Sequence, residues 1–194
     1  REHARDGIKN FPISKIFPAT FISRDGRVIA KSPGMDLDTT TIGGNDIGLR
    51  REMIQYHGIR IGIAVQGSIG PAFETLLLEH RLREADFVGV AHQSPIVPPD
   101  RAELFGKALY AGYDRDFVTA IHLLAPQVEN MVRYHLKAAG ATTTTLNQQG
   151  IETENGLSTL IELPQMIKVF GPDTTFEIRS LFCDPFGPNL RNEV

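Results

Sequence analysis

The sequence predicts a mainly α-helical protein with a small α+β part at its N-terminal end. Three observations carry that expectation. Apolar residues at 117, 121, 124, 128, 131 or 132, 136 and 139 recur at spacings of three and four, the signature of one buried helical stripe. Helix-forming runs punctuated by Gly and Pro fill most of the rest of residues 95–194. The firmest strand signal lies near the start, where two β-prone runs flank Asp25-Gly26, residue types that supply the positive φ angles of a type I′ hairpin turn.

The elements follow in order. Residues 20–30 read as the β-hairpin. Residues 32–48, with Pro33, Gly34 and Thr39-Thr40-Thr41, lack either periodicity and read as a loop or linker. Ile59 to Val65 alternates as a strand does, Gly67 to Gly70 reads as a loop, and Pro71 opens a helix to about Arg83. A boundary near residue 95 divides an N-terminal α+β segment, 1–94, from a helical domain, 95–194. In the second part Asp100 is expected to cap a helix over 101–110 that ends near Gly112. Pro126 leaves the segment from Asp114 to Ala139 as one kinked helix or two helices, and Gly140 stops it. Residues 141–150 form a polar connection, 156–169 and 173–182 are shorter helices parted by Gly171-Pro172, and Pro188 opens the last helix. The second half therefore reads as a helical bundle.

Composition excludes several classes. With 194 residues, 41% hydrophobic and 22% charged, the chain can bury a core and is not disordered throughout. The balance of 20 Lys+Arg and 23 Asp+Glu gives a net charge of -3, so any nucleic-acid binding requires a local basic patch. Cys183 is the single cysteine, which excludes an internal disulfide and a thiolate zinc set and fits a reducing, cytoplasmic compartment. No apolar run approaches the roughly 18 residues of a membrane span, and the opening Arg1 to Asp6 lacks the apolar segment of a signal peptide. The start at Arg1 and the end inside a helix-forming run read as an excised piece.

Motifs narrow the chemistry further. Gly67-Ser68-Ile69-Gly70 matches neither a dinucleotide fingerprint nor a P-loop, and a tight strand-to-helix turn is its plainer meaning. Gln66 stands where a nucleophile elbow around Ser68 requires glycine. The six histidines include no His-Glu-x-x-His and no helical pair, so no metal site is expected; His122 and His135, on the long helical segment, read as surface or satisfied side chains. Glu129 and Arg133 have the spacing of an ion pair along a helix. Arg191-Asn192 falls in the first turn of the final helix, where a cation is unfavourable and an anion such as phosphate relieves it.

Asn189-Leu190-Arg191-Asn192-Glu193-Val194 resembles the start of the Arg-Asn-x-x-x-His-Gly motif of a family formerly labelled a domain of unknown function. That family is similar to a branch of the HEPN superfamily, the helical domains named for higher eukaryotes and prokaryotes nucleotide-binding. Ser94 to Pro98, Ala120 to Arg133 and Gly140 to Thr144 are similar to its other blocks, so the resemblance covers about the second half of the chain. It implies a HEPN-like bundle and a metal-independent, cofactor-free endoribonuclease of a defence or toxin-like system. A ribose 2′-hydroxyl would attack the adjacent phosphorus, leaving a cyclic phosphate and a 5′-hydroxyl. Arg191 would stabilise the charge, Asn192 would orient, and the motif histidine would serve as acid or base. That histidine falls two positions past Val194, so the 194-residue chain alone is expected to be inactive. Glu129 and Arg133 look like the Glu and Arg of the family's long internal helix and would buttress Arg191. A symmetric homodimer, with RNA or a nucleotide as partner and no membrane, is implied. Two other readings stand beside it: a non-catalytic dimerisation or nucleotide-binding module, and a separate phosphate site in residues 58–83 with the hairpin as its lid.

Overall fold

The computed structural model describes residues 19–22, 26, 28–32, 42–147 and 149–193. These residues are mainly helical, with two separate two-stranded antiparallel ladders. Two units divide the chain: one runs to Leu77 and includes Pro185–Gly187, and the other holds Leu78–Asp184 with the segment from Pro188 onward.

In the first unit, β1 (Ala19–Ile22) pairs with β2 (Val28–Ser32), as the Asp25-Gly26 signal predicts. The register places Ile22 opposite Val28 and carries an irregularity between Phe21 and Ile22. Between them only Gly26 is described, at φ 82°, and the two-residue turn expected at Asp25-Gly26 otherwise lies outside the described residues. The predicted linker at 32–48 lies partly outside the described residues. From Ile42 onward the chain is helical: α1 (Ile42–Ala64) passes through one π-helical turn (Val65–Ile69) into α2 (Gly70–Glu79).

This corrects the strand expected at 59–65 and the loop at 67–70. Alternation at Ile59, Ile61, Ile63 and Val65 suits a strand only where a neighbouring strand meets its N–H and C=O groups. The described ladders leave no place for it, whereas a helix continued from the preceding turns satisfies those groups locally. The same change removes the geometry of a phosphate site at 58–83, because no open Gly-rich loop precedes the helix. It also revises the reading of apolar runs. Gln66, Gly67, Ser68 and Glu74 interrupt the sequence, yet among the described residues Arg50–Glu79 is one helix long and apolar enough to cross a membrane by length and composition, with a window of mean hydropathy 1.3.

The second unit begins before the predicted 94/95 boundary, because α3 (Glu84–Gln93) packs along α4 (Ala102–Tyr113). Asp86 caps α3 by accepting the Arg83 N–H at 2.7 Å, and Glu84 and Asp86 place negative charge in its first turn. Phe87 lies against Tyr113 with ring centroids 5.3 Å apart, and the Tyr113 hydroxyl donates to the His80 carbonyl at 2.9 Å. A Cβ on Gly106 would stand 2.5 Å from Val88 Cα and 2.7 Å from Val88 N, backbone that cannot rotate away. Gly106→Ala is therefore expected to push α3 from α4 and cost about 1–3 kcal/mol, despite the better helix propensity of alanine. Urea denaturation checks this, and an unchanged midpoint would show that the two helices are not held at this distance.

Asp100 does not cap α4 as predicted. It sits in a 3₁₀ turn (Pro99–Arg101) and its carboxylate lies 3.2 Å from Arg101 Nε. The choice left open by Pro126 resolves to one helix, α5 (Phe117–Ala138). Asp116 caps it, accepting the Thr119 N–H at 3.1 Å, and the Thr119 hydrogen bonds hold its carboxyl below the usual range. At the other end Gly140, at φ 77°, turns the chain and Ala141 N–H returns to Leu136 O at 2.9 Å. The predicted stripe packs from Leu124 to Leu136, with Val132 and Leu136 fully buried, while Phe117, Ile121 and Ala139 are exposed.

Inside the polar connection expected at 141–150, β3 (Thr144–Leu146) forms a strand that pairs with β4 (Glu152–Glu154), which lies just past it. The β-branched run Thr142 to Thr145 was the signal for it. A single turn, α6 (Leu157–Leu160), follows, then α7 (Pro164–Phe182), broken where Gly171 takes φ 76° just before Pro172. Leu157, Leu160 and Met166 close the core against α5. The last helix, α8 (Leu190–Glu193), is only four residues long.

Candidate functional site

The polar face of α5 organises the site. His122, Pro126, Glu129 and Arg133 succeed one another at spacings of four, three and four, so they lie on one side of the helix, beside the buried stripe. Glu129 is the hub. Its Oε1 accepts Arg133 Nη2 at 2.6 Å, and its Oε2 accepts the Leu157 N–H at 3.0 Å, satisfying an orphan donor at the start of α6. Arg191 Nε stands 3.5 Å from the same Oε2, and Arg191 Nη1 donates to Ser158 Oγ at 2.8 Å.

Arg133 is held further by the Asn155 carbonyl at 2.8 Å and by Glu154 Oε2, 3.2 Å from its Nε. Lys137 Nζ reaches the other oxygen of Glu154 at 2.5 Å, and this hydrogen bond foremost keeps the Glu154 carboxyl below its ordinary range. Arg133 is therefore a fixed strut between α5 and the β3–β4 hairpin.

The structure thus brings together three of the four residues singled out at the sequence level: Glu129, Arg133 and Arg191. Asn192 stands apart, its amide donating to Asn189 Oδ1 at 3.1 Å within its own turn. His135 is structural, with Nε2 on the Ile96 carbonyl at 2.9 Å and its ring edge-on to Phe170. Beside the Arg191 seat lies a cavity of about 460 Å³, lined by the side chains of α5 together with Arg101, Leu157 and Arg191. Its charged lining is three arginines, Arg101, Arg133 and Arg191, against the one carboxylate of Glu129. Each guanidinium also has a carboxylate beside it: Asp100 for Arg101, Glu129 and Glu154 for Arg133, and Glu129 for Arg191. Sequence reasoning missed Arg101, Ser158 and the place of His122. The spacing of His122 from Glu129 and Arg133 was a usable signal; Ser158 had none, since its approach to Arg191 depends on the tertiary fold.

Gly156 makes room for the arginine. A Cβ there would collide with Arg191 Nη2 and come within 3.1 Å of Cζ, while its φ of -75° is open to any residue. Gly156→Ala is expected to break the Arg191–Ser158 bond and leave stability within about 0.5 kcal/mol of the parent. A crystal structure of the variant with a thermal unfolding curve checks both, and an undisplaced Arg191 would contradict it. Cys183, half-buried, adjoins the same cluster: burial raises its thiol, and a hydrogen bond with Ser158 and the charge of Arg191 oppose that rise. Fewer thiolates at a given pH mean slower alkylation. Iodoacetamide is therefore expected to label Cys183 more slowly at pH 8 than a free thiol peptide, the rate rising with pH; equal rates would refute this.

Among the described residues no group of three His, Cys, Asp or Glu side chains is placed to hold a metal ion. The fold and site define a mainly helical unit with an arginine-lined pocket organised on a buttressed Arg191. No protein-family model, no curated protein and no solved structure matches the chain.

Proposed function

We propose that the second unit is a HEPN-like domain whose cationic pocket seats an RNA phosphodiester on Arg191 and cleaves it without a metal ion. The observation that carries this reading is the position of Arg191, braced by Glu129 and Ser158 on the wall of a cavity rich in guanidinium groups. A guanidinium fixed by other residues needs no reorganisation when charge develops on the non-bridging oxygens, which is where electrostatic catalysis is most effective. The residue pattern around Arg191 supplies the reaction class: attack of the ribose 2′-hydroxyl on phosphorus, giving a cyclic phosphate. Exposed Phe117 and Val118 at the start of α5 are in keeping with a homodimer. A cytoplasmic role in a defence or toxin-like system completes the proposal.

One observation favours a second reading, a non-catalytic nucleotide-binding or dimerisation module. Arg191 already spends Nε and Nη1 on Glu129 and Ser158, and Asn192 bonds within its own turn. The two readings differ in product. End-labelled single-stranded RNA incubated in EDTA with a chain continued through the motif histidine is expected to yield fragments ending in 2′,3′-cyclic phosphate, and the 194 residues alone are expected to leave it intact. Saturable binding with intact RNA would support the module instead.

A further inference from the structure

Gln127 follows Pro126 on α5, at the edge where the polar face meets the buried stripe, and only 8% of the residue is exposed. Its Oε1 is buried and meets no donor, and its amide nitrogen makes no hydrogen bond among the described residues either. Turning the amide over exchanges the two atoms and leaves the position just as unmet. A buried carboxamide without partners costs stability that an apolar side chain of the same shape does not, so it calls for a partner from outside the chain. Gln127 lines the cavity of about 460 Å³ that Arg191 also lines, which gives that partner a place.

The two residues belong to different walls. Gln127 precedes Glu129 by two positions and stands about 200° around α5 from it, away from the seat of Arg191. Arg101, from the 3₁₀ turn, lines the cavity as well. It pairs through Nε, 3.2 Å from the Asp100 carboxylate, and its terminal Nη amines make no hydrogen bond among the described residues. The cavity therefore holds guanidinium donors and an amide with both ends unmet, in addition to the groups that brace Arg191.

We propose that Gln127 and Arg101 form a base-reading subsite that selects guanine on a nucleotide next to the phosphodiester held by Arg191; the proposal rests on the RNA reading above for its class of ligand. Along one edge guanine presents N7 and O6 as acceptors and then N1–H as a donor. The Arg101 fork donates to N7 and O6, the commonest pairing of an arginine with a base, and Gln127 Oε1 accepts from N1–H. Adenine sets an N6–H donor against the guanidinium, and cytosine and uracil have no N7. Arg191 meets the backbone and carries no sequence information, so position and sequence are read by separate groups.

Binding by the 194-residue chain tests this without any need for cleavage. A fluorescein-labelled uridine hexanucleotide is compared by anisotropy with the same hexamer carrying one guanosine, adenosine or cytidine, using the parent, Gln127→Met and Arg191→Ala. One guanosine is expected to tighten binding to the parent about tenfold over the other three hexamers, the discrimination of one good base contact. Gln127→Met, similar in shape and lacking the amide, is expected to abolish that preference, leave the affinity for the uridine hexamer unchanged and unfold no lower in temperature than the parent. Arg191→Ala is expected to weaken all four hexamers alike and keep the preference. Equal binding of all four by the parent, or preference for another base, overturns the guanine assignment and leaves the RNA reading standing. A guanosine preference that survives in Gln127→Met overturns the role of Gln127, and so does a variant that melts below the parent, because the amide then serves the fold. No saturable binding of any hexamer to the parent overturns the RNA reading and this assignment with it.

Discussion

In a chain continued through the motif histidine, Arg191→Ala is expected to lower RNA cleavage by about 10²–10³-fold, the cost of removing one preorganised donor to a developing oxyanion. The expected loss lies in the rate more than in the affinity, because Arg101 and Arg133 still present positive charge to the cavity. Arg191→Lys retains the charge yet cannot reach Glu129, Ser158 and a phosphate oxygen together, since it lacks the planar fork. Its expected activity lies between the parent and the alanine variant. The residue is partly exposed and its ion pair with Glu129 spans 3.5 Å, so the fold should be little affected, by less than about 1 kcal/mol. Steady-state cleavage rates with a urea melt of each variant make the check. A variant that unfolds in parallel with its loss of activity would assign Arg191 to structure.

Glu129→Ala has the largest expected effect on stability, a loss of about 2–3 kcal/mol. Three groups depend on that one carboxylate: Arg133 Nη2, the Leu157 N–H and Arg191 Nε. The side chain of Arg133 is only 16% exposed, so its charge loses a partner where water cannot fully replace it. Glu129→Gln keeps an oxygen for the Leu157 N–H and removes the charge, and it should lose roughly half as much. The denaturation midpoint is expected to fall with the slope unchanged. An alanine variant as stable as the parent would show that the arginines find equal partners elsewhere.

The legible parts of the fold were those where one local pattern decides the outcome. The stripe from residue 124 to 136 is buried on α5 as its spacing requires, and the β-prone runs around Asp25-Gly26 pair as strands. Glu129 and Arg133, four apart on a helix, form the ion pair that spacing predicts. The failures came where local pattern and tertiary context conflict. Ile59 to Val65 alternates like a strand but has no described strand to join, and α1 continues through it. The separation at Leu77/Leu78 could not be read from composition, because α3 joins the second unit through a close approach at Gly106 that only the packed structure reveals. The site divides in the same way. Arg191 and its buttress were visible as residue types at known spacings, whereas Ser158 and Arg101 reach the cavity from turns far away in sequence.

The central claim is that the pocket bounded by Glu129, Arg133 and Arg191 binds a phosphodiester. A titration followed by ¹⁵N–¹H spectroscopy with a 2′-deoxy dinucleotide tests it most directly, because that ligand has the phosphodiester and lacks the hydroxyl needed for cleavage. The account predicts saturable shifts at the Arg191 Nε–H and at the backbone amides of Asn130, Leu157 and Ser158, all lost in Arg191→Ala. Shifts confined to the helix from Arg50 to Glu79, or no saturable shift at all, would contradict it.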